Sequence, residues 1–297
     1  MEVSFGSFQK GAWMAVETSP TVRRRRLASE LRRLRTERDL AMQTVADRME
    51  MTAASLSRIE TGRRGIKPRD LRALLGLYEV PEADQEALLD LAREARQKGW
   101  WQQYGNVLST EYATLIGLEA EASTIRNYEQ ALVPGLLQTE AYTRAVTTVF
   151  RPADSPEEID RLVSVRLKRQ ERLDDSAFEL SVILGEAVLR QSIGTPAIMA
   201  EQLSRLAEAS RKPNVMVQVL PFRAGAHPAL TGSFSLVGFP ASSDMDVVYL
   251  ENMTSAVYLE EAPGVRSYGS VFDYLRAAAL SPNDSATMLM EASEALT

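Results

Sequence analysis

The chain has 297 residues, of which 45% are hydrophobic and 25% are charged, and its formal net charge is −6. This is the composition of a globular protein with one large domain or two. It contains no cysteine and a single histidine, His227, so disulfides, thiolate zinc sites, cysteine nucleophiles and histidine-rich metal sites are excluded. No apolar run reaches the roughly 20 residues that cross a bilayer and no signal-peptide pattern is present, so we expect no membrane partner and a cytoplasmic location.

Charge is distributed unevenly along the chain. Residues 1–78 carry 16 Lys and Arg against 9 Asp and Glu, whereas residues 79–297 carry 18 against 31. A basic segment joined to an acidic body is typical of proteins in which a nucleic-acid-binding module precedes another domain. The uneven charge therefore favours a nucleic acid as a partner of the N-terminal part, and the motif described below favours double-stranded DNA.

The N-terminal part is predicted to be all-helical. Residues 1–22 are expected to form a flexible extension, and Met14 is an alternative start of the chain. Hydrophobic periodicity then predicts five short helices: residues 27–38, Met42–Met49, Ala53–Thr61, one opened by Pro68 and one opened by Pro81. Thr52 is a suitable N-cap for the third helix, and Gly62 is a suitable residue just after its end. Helices this short must pack together, so residues 23–97 are predicted to form one domain.

The rest of the chain, residues 98–297, is predicted to be an α+β domain. Short β-branched or alternating runs predict four strands: Phe178–Leu184, Val215–Leu220, Ser233–Gly238 and Asp246–Leu250. Helices are predicted at residues 111–149, with an interruption at Val133-Pro134-Gly135, and at Ser155–Leu173, Pro196–Ser210, Ser267–Ala279 and Ser285–Leu296. The sequence thus predicts an all-α five-helix domain followed by an α+β domain.

The second and third helices have the pattern of a helix-turn-helix. This motif needs a small residue where the two helices meet and apolar residues that fix their angle, while the outer face of the second helix of the pair meets the bases in the major groove. Ala46 is the small residue. The apolar positions are Val45, Met49, Leu56 and Ile59. The opposite face of the third helix, which is predicted to enter the groove, carries Ala53, Ala54, Ser57 and Arg58.

Residues 31–80 resemble the Cro/C1-type, or XRE, helix-turn-helix family, most clearly in Leu56-Ser57-Arg58-Ile59-Glu60-Thr61-Gly62. The resemblance implies a sequence-specific DNA-binding regulator. It implies the following DNA-binding residues: Gln43, Thr44, Thr52, Ala53, Ala54, Ser55, Ser57, Arg58, Arg63, Arg64 and Lys67.

Roles within this set also follow from the resemblance. Ala53, Ala54 and Arg58 fall where the family reads bases, and Arg58 can donate two hydrogen bonds to guanine O6 and N7. Ser55 and Ser57 fall at phosphate or neighbouring contacts. The phosphate clamps are Arg63, Arg64 and Lys67. An ion pair between Arg35 and Glu60, common in the family, is assigned to the scaffold.

Two positions depart from the family's pattern. The family usually begins the second helix with Ser or Thr followed by Gln, whose amide holds a phosphate, whereas this chain has Ala41 and Met42. Gln43 or Thr44 is the candidate substitute for that contact. Glu50 stands where the family usually has a turn glycine, which is tolerable when the turn residue is not forced to a positive φ.

The C-terminal part resembles the poorly characterised domain that follows such helix-turn-helix modules in many actinomycete regulators. The pieces that carry this resemblance are Lys98-Gly99-Trp100-Trp101, Leu118-Glu119 with Ala122, Val133 to Thr139 with Tyr142, Arg166 with Arg169-Gln170, Asn214 to Phe222, Gly232-Ser233-Phe234 and Val247 to Glu251. The resemblance implies an antitoxin-like regulatory domain that senses a ligand or a small protein encoded nearby. Arg166, Arg169 and Gln170 lie on adjacent helical turns and are candidate ligand or partner residues, able to bind an anion; the alternative is a solvated face or a structural ion pair.

Three functions compete. The leading hypothesis is a homodimeric transcriptional regulator whose second domain senses a signal. The alternative is an antitoxin-like interaction module that sequesters a small partner protein. An enzyme is disfavoured: no nucleotide-binding or nucleophile signature is present, and Glu186 and Glu251, which end apolar strands, are interpreted as caps or salt bridges. We therefore predict no catalytic residue, no metal site and no cofactor.

Overall fold

A computed structural model of the chain describes residues 20–95, 99–240, 246–253 and 255–296. The chain divides into two compact units, with the division between Gln97 and Lys98. Most of the predicted N-terminal extension, residues 1–19, lies outside the described residues. Its last three residues are not an extension, because the first helix begins at Pro20 rather than at Leu27. Among the described residues, no helix is long and apolar enough to cross a membrane.

The first unit is all-helical. Its five helices are α1 Pro20–Glu37, α2 Met42–Arg48, α3 Ala53–Glu60, α4 Pro68–Leu77 and α5 Glu82–Glu94. The four helices after α1 are too short to be stable alone, and the apolar stripes of all five meet in one core. The side chains that are completely buried there include Leu31, Val45, Leu56, Leu71 and Leu74. Ala46, also fully buried, permits the close approach of α2 to α3, as predicted.

The ends of α3 are as the sequence predicts. The Thr52 hydroxyl accepts a hydrogen bond from the Ser55 N–H, which satisfies one of the amide groups left free at the start of a helix. Thr61 ends the helix, and Gly62 follows it with φ of 69°. Only glycine adopts this left-handed conformation without a steric penalty, so Gly62 can reverse the chain immediately after α3.

Glu50, in the turn between α2 and α3, differs from expectation. We expected Glu50 to be tolerated if the turn did not require a positive φ, but the φ of Glu50 is 51°. The Glu50 N–H donates to the Asp47 carbonyl and the Met51 N–H to the Ala46 carbonyl, which is the pattern that closes a helix with a left-handed residue. Glu50 therefore occupies a position that favours glycine, and its charge lies at the negative end of the α2 dipole.

We expect Glu50→Gly to stabilise the first unit by about 1 kcal/mol, because it removes the left-handed Cβ penalty. Hydrogen exchange of the α2 and α3 amides in the full chain should slow about fivefold. Glu50→Ala is the control: it removes the charge and keeps the Cβ, so it should reproduce only the smaller contribution of the helix dipole. Equal protection in the two variants would contradict the conformational explanation.

The second unit is α+β, as predicted. Its helices are α6 Thr110–Glu119, α7 Glu140–Phe150, α8 Pro156–Gln170, α9 Ala187–Arg190, α10 Pro196–Ala209, α11 Ala262–Ala278 and α12 Pro282–Glu294. Its strands are β1 Thr124–Glu129, β2 Glu179–Gly185, β3 Val215–Leu220, β4 Phe234–Gly238, β5 Val247–Asn252 and β6 Ser255–Leu259. They form one sheet in the order β3-β2-β1-β4-β5-β6, in which β1, β2 and β3 are parallel and the remaining pairs are antiparallel.

The prediction that residues 111–149 are helical is wrong for residues 124–129. This segment is β1, which lies between β2 and β4 in the interior of the sheet. The prediction also missed β6, which returns antiparallel to β5 at the sheet edge. The four predicted strands are all present, and the helix α11 packs on the face of the sheet that carries Tyr128, Phe234 and Val248.

Candidate nucleic-acid interface

The helix α3 is fixed to the core on one side and open on the other. Leu56 and Ile59 are buried, whereas Ala54 and Arg58 are exposed. Ala53, which was predicted to share the groove-facing surface, is half-buried and packs against the helical core. The surface that α3 offers to a large anionic partner is therefore centred on Ala54 and Arg58, with the half-buried Ser55 and Ser57 beside them.

Ser55 lies at the centre of the hydrogen bonds on this surface. Its hydroxyl oxygen is 3.1 Å from the Thr52 hydroxyl, 3.4 Å from an Nη atom of Arg58 and 3.2 Å from an Nη atom of Arg64. Arg58 reaches it from the next turn of α3, and Arg64 reaches it from the loop that follows. The arrangement places two guanidinium groups beside one another at the first turn of the helix.

The loop after α3 is anchored by one apolar side chain and one backbone bond. Ile66 is buried in the helical core, and the Arg64 N–H donates to the Arg58 carbonyl at 2.9 Å. Arg63, Arg64 and Lys67 are all exposed, and Lys67 stands at the start of α4. Three cations in one exposed loop next to α3 are suited to binding phosphate groups.

The candidate phosphate contact at the start of α2 is only partly available. Met42 packs against the helical core, which explains an apolar residue at this position. The Gln43 amide donates to Asp47, one turn further along the same helix, at 2.7 Å. Thr44 is exposed. Of the two substitutes considered, Gln43 has one of its two amide N–H donors engaged by Asp47 and the other left to donate to a phosphate.

The predicted scaffold ion pair between α1 and α3 is confirmed. Arg35 donates from Nε and Nη2 to the two Glu60 carboxylate oxygens at 2.8 and 3.0 Å, and from Nη1 to the Leu40 carbonyl. Hydrogen bonding to Glu60 raises the pKa of Arg35. The Tyr78 hydroxyl faces the same carboxylate at 3.5 Å, and burial raises the pKa of Tyr78. The ion pair fixes α3 to α1. It therefore positions the exposed surface of α3 around Ala54 and Arg58, the recognition surface, without being part of it.

Arg166, Arg169 and Gln170, the candidate ligand or partner residues in the second unit, are close together on α8. Arg169 forms a buried, two-pronged ion pair with Glu119, both bonds being 2.6 Å. Arg166 donates to the Gln138 side chain at 2.9 Å. Gln170 donates to the carbonyls of Gly135 and Gln138. These intramolecular contacts favour the structural alternative, and anion binding at these residues stays a prediction.

Tyr112 of α6, which the sequence did not single out, lies between the two arginines. Its hydroxyl is 3.3 Å from Nε of Arg166 and 2.5 Å from Nη1 of Arg169, and both guanidinium groups also stack on its ring. Burial acts to raise the pKa of Tyr112, but the positive charges of Arg166 and Arg169 outweigh it and leave the pKa below its ordinary value. The cluster joins α6 to α8 within the second unit.

The buried side-chain amide of Gln202 fixes the irregular segment 133–139 in the second unit. Gln202 of α10 is fully buried and accepts from the Thr139 N–H at 2.7 Å while donating to the Leu137 carbonyl at 2.9 Å. It satisfies backbone groups that the irregular segment 133–139 cannot pair by itself. The signal in the sequence was a glutamine within the apolar stripe of α10, between Met199 and Leu203.

The carboxyl groups considered for catalysis are separated. Glu186 accepts from the Phe222 N–H at 2.9 Å and pairs with Arg190 of the same helix region, so it caps a turn as predicted. Glu251 ends β5, near Glu129 of β1. His227 is 3.5 Å from the Tyr128 hydroxyl, and burial lowers the pKa of His227. In the described part of the chain, no group of three His, Asp or Glu residues is arranged to hold a metal ion.

Comparison with protein families gives two matches. Residues 26–88 match a family described as a helix-turn-helix domain, and residues 112–291 match one described as a domain of unknown function, DUF5753. No curated protein and no solved structure matches the chain. The first match confirms the XRE-like helix-turn-helix, whereas the antitoxin-like character of the second unit stays a prediction. Because the second match covers more than half of the chain, the protein belongs to the DUF5753 family, and it carries a DNA-binding helix-turn-helix domain ahead of the domain that defines that family.

Proposed function

We propose that this protein is a sequence-specific transcriptional regulator that places α3 in the major groove of its operator. The observation that carries the proposal is the capped helix α3, locked by Leu56 and Ile59 on one side and presenting Ala54 and Arg58 on the other. An exposed arginine on such a helix can donate two parallel hydrogen bonds to guanine, and an alanine methyl can contact the methyl group of thymine. A regulator accounts for this surface better than an enzyme does.

The proposed phosphate contacts surround that helix. Arg63 and Lys67 lie in the exposed loop after it, and Thr44 and Gln43 lie on α2. Such contacts fix the register of the protein on the duplex and supply affinity that falls steeply with salt, but they carry no sequence information. Thr52 and Ser57 are proposed to assist from the edge of the recognition surface.

We further propose a homodimer, because one helix-turn-helix buries little surface and operator half-sites about one helical turn apart require two copies. The second unit is proposed to sense a ligand or a small partner protein. As the place where such a ligand would bind, we propose the cleft of about 350 Å³ beside the end of β5 and α11, whose walls include Phe234, Glu251 and Tyr268 and so combine apolar surface with polar groups.

The proposal is tested with operator fragments selected from a random pool by the full-length chain. Arg58→Ala should weaken binding to the selected sequence by about 5- to 100-fold and relax the preference for guanine at one position of the site, because the bidentate contact to that guanine is lost. Arg58→Lys should recover the salt dependence but not the sequence preference, since an ammonium group cannot form the same fork.

Arg93→Ala is the matched control, because Arg93 is an exposed arginine of α5 in the same unit and pairs there with Glu86 and Asp90. Its binding curve should overlay that of the wild-type chain. If the wild-type chain enriches no sequence, the proposed function is wrong; if Arg58→Ala binds the enriched sequence as tightly as wild type, base reading by Arg58 is wrong.

A further inference from the structure

Arg64 belongs to the loop after α3, but its guanidinium group does not point away with the rest of that loop. One of its Nη atoms is 3.2 Å from the hydroxyl oxygen of Ser55, nine residues earlier in the chain. The left-handed Gly62 reverses the chain, and the bond from the Arg64 N–H to the Arg58 carbonyl holds the returning backbone against α3. The Arg64 side chain therefore runs back along the recognition helix toward its N-terminal turn.

Ser55 and Arg58 make this position informative. Ser55 occupies the first turn of α3, the part of a recognition helix that comes closest to base edges. Arg58 donates to the same oxygen at 3.4 Å, so both guanidinium groups are within hydrogen-bond distance of one atom. Both side chains are otherwise exposed. A guanidinium group has five N–H donors, and one bond to Ser55 leaves a pair of parallel donors on each arginine.

We propose that Arg64 is a second base-reading residue, that Ser55 positions it beside Arg58, and that the operator half-site consequently presents two neighbouring guanines to α3. Successive bases on one strand are stacked about 3.4 Å apart, a spacing that two side-by-side guanidinium groups can match. Each guanine offers O6 and N7 in the major groove, the acceptor pair that fits an arginine. This inference rests on the proposed function and replaces the phosphate-clamp role that the family resemblance implies for Arg64.

Arg63 provides the internal comparison. It is the adjacent residue, it is equally exposed, and within the described residues no hydrogen bond or ion pair ties its side chain to α3. A phosphate clamp removed by mutation lowers affinity by a similar factor for every sequence and reduces the slope of the salt dependence by about one charge. A base-reading arginine removed by mutation relaxes the preference at one position of the site.

The experiment is selection from a random DNA pool by the full-length wild-type chain, Arg64→Ala and Arg63→Ala, followed by binding titrations at several salt concentrations. We expect the wild-type motif to contain adjacent guanines, Arg64→Ala to lose about 5- to 100-fold discrimination at one of them, and Arg63→Ala to keep the motif at reduced affinity. An Arg64→Ala motif identical to wild type, with the salt dependence of Arg63→Ala, would overturn the inference. Failure of the wild-type chain to enrich any motif would instead overturn the proposed function.

The positioning role of Ser55 is tested separately. Ser55→Ala should relax the preference at the guanine read by Arg64, while Ser55→Thr, which keeps the hydroxyl, should restore it. In the double variant with Arg64→Ala, the Ser55→Ala change should have little further effect at that base, because the two residues act as a unit. Equal and additive effects of the two changes would show that Ser55 does not act through Arg64.

Discussion

Replacing Arg169 by methionine is expected to lower the stability of the second unit by about 3–5 kcal/mol, the largest effect that any single substitution discussed for this chain should have. Arg169 and Glu119 are both almost completely buried and are joined by two charge-assisted bonds of 2.6 Å. Removing the arginine leaves the Glu119 carboxylate in a poorly solvated position without its partner. It also removes the donor to the Tyr112 hydroxyl at 2.5 Å.

The measurement is urea unfolding of the full-length chain followed by tryptophan fluorescence. Trp101 is buried against Ile116 and Val165, and Lys168 of α8 lies over the Trp100 ring, so both indoles report on the packing of α6 and α8. The midpoint of this transition should fall in the Arg169→Met variant. Because the chain has two units, only this transition of the unfolding curve is fitted, and no global two-state fit is applied to the whole chain.

Two further variants isolate the cause. Arg190→Met removes an exposed arginine paired with Glu186 and should cost no more than about 0.5 kcal/mol. The double variant with Glu119→Leu and Arg169→Met removes both charges and should recover most of the stability lost in Arg169→Met, because no unpaired charge remains. A loss in Arg169→Met as small as that in Arg190→Met would show that the ion pair is not important for the fold.

The elements that sequence predicts well are those whose signal is local. The helix α4 is predicted by Pro68 at its start followed by an apolar stripe, Leu71, Leu74 and Leu75. All three leucines are fully buried. Val215–Leu220 is predicted to be a strand because β-branched valines recur at every second position, and β3 has the same bounds. In both cases the residues that decide the structure lie within a few positions of one another, so hydrophobic periodicity is sufficient.

The strand β1 shows why other elements escape such reasoning. Its interior position buries Asn127, a residue that is unfavourable in a strand interior. The NH2 group of the Asn127 side chain donates to the Phe234 carbonyl and to the Ser235 hydroxyl of β4, more than a hundred residues later in the chain. These partners in β4 are too far along the chain to be seen in a local pattern. The polar residues around Asn127 have the composition of a helix, and the segment was therefore predicted to continue the helices on either side of it.

The candidate interface divides in the same way. The cap Thr52, the turn Gly62 and the exposed Arg58 are local features of a short motif, and each was predictable from the sequence. The family resemblance implies a phosphate clamp for Arg64, whereas the position of its side chain against Ser55 depends on how the chain reverses after α3.

Glu129 gives the second large prediction: Glu129→Gln should stabilise the chain by roughly 2–3 kcal/mol at pH 8 and leave its stability almost unchanged near pH 4.5. Glu129 ends β1, and burial raises the pKa of its carboxyl group to about 7; hydrogen bonds from Ser233 and Asn127 oppose this rise, and the negative charge of Glu251 adds to it. Glutamine resembles the protonated carboxyl in shape and lacks its charge.

The direction in which the stability changes with pH follows from the protons that the folded and unfolded chains bind. Between the ordinary carboxyl value of 4.5 and about 7, the folded chain holds a proton on Glu129 that the unfolded chain has released. The free energy of unfolding of the wild-type chain therefore falls as the pH rises through this range and is constant with respect to this group above it. The glutamine variant lacks the group, so the difference between variant and wild type should grow from pH 4.5 to 7 and then level off.

Urea unfolding at half-unit pH intervals measures this difference directly, because all other titrating groups are common to both proteins. Glu179→Gln is the matched control, because it makes the same substitution at an exposed glutamate at the opposite end of the neighbouring strand β2. A constant offset for Glu129→Gln would mean that the Glu129 carboxyl group has the same pKa in the folded and the unfolded chain. A difference that grows between pH 4.5 and 7 would show that the end of β1 retains a proton near neutral pH, which ties the stability of the sheet to the charge state of a single half-buried glutamate.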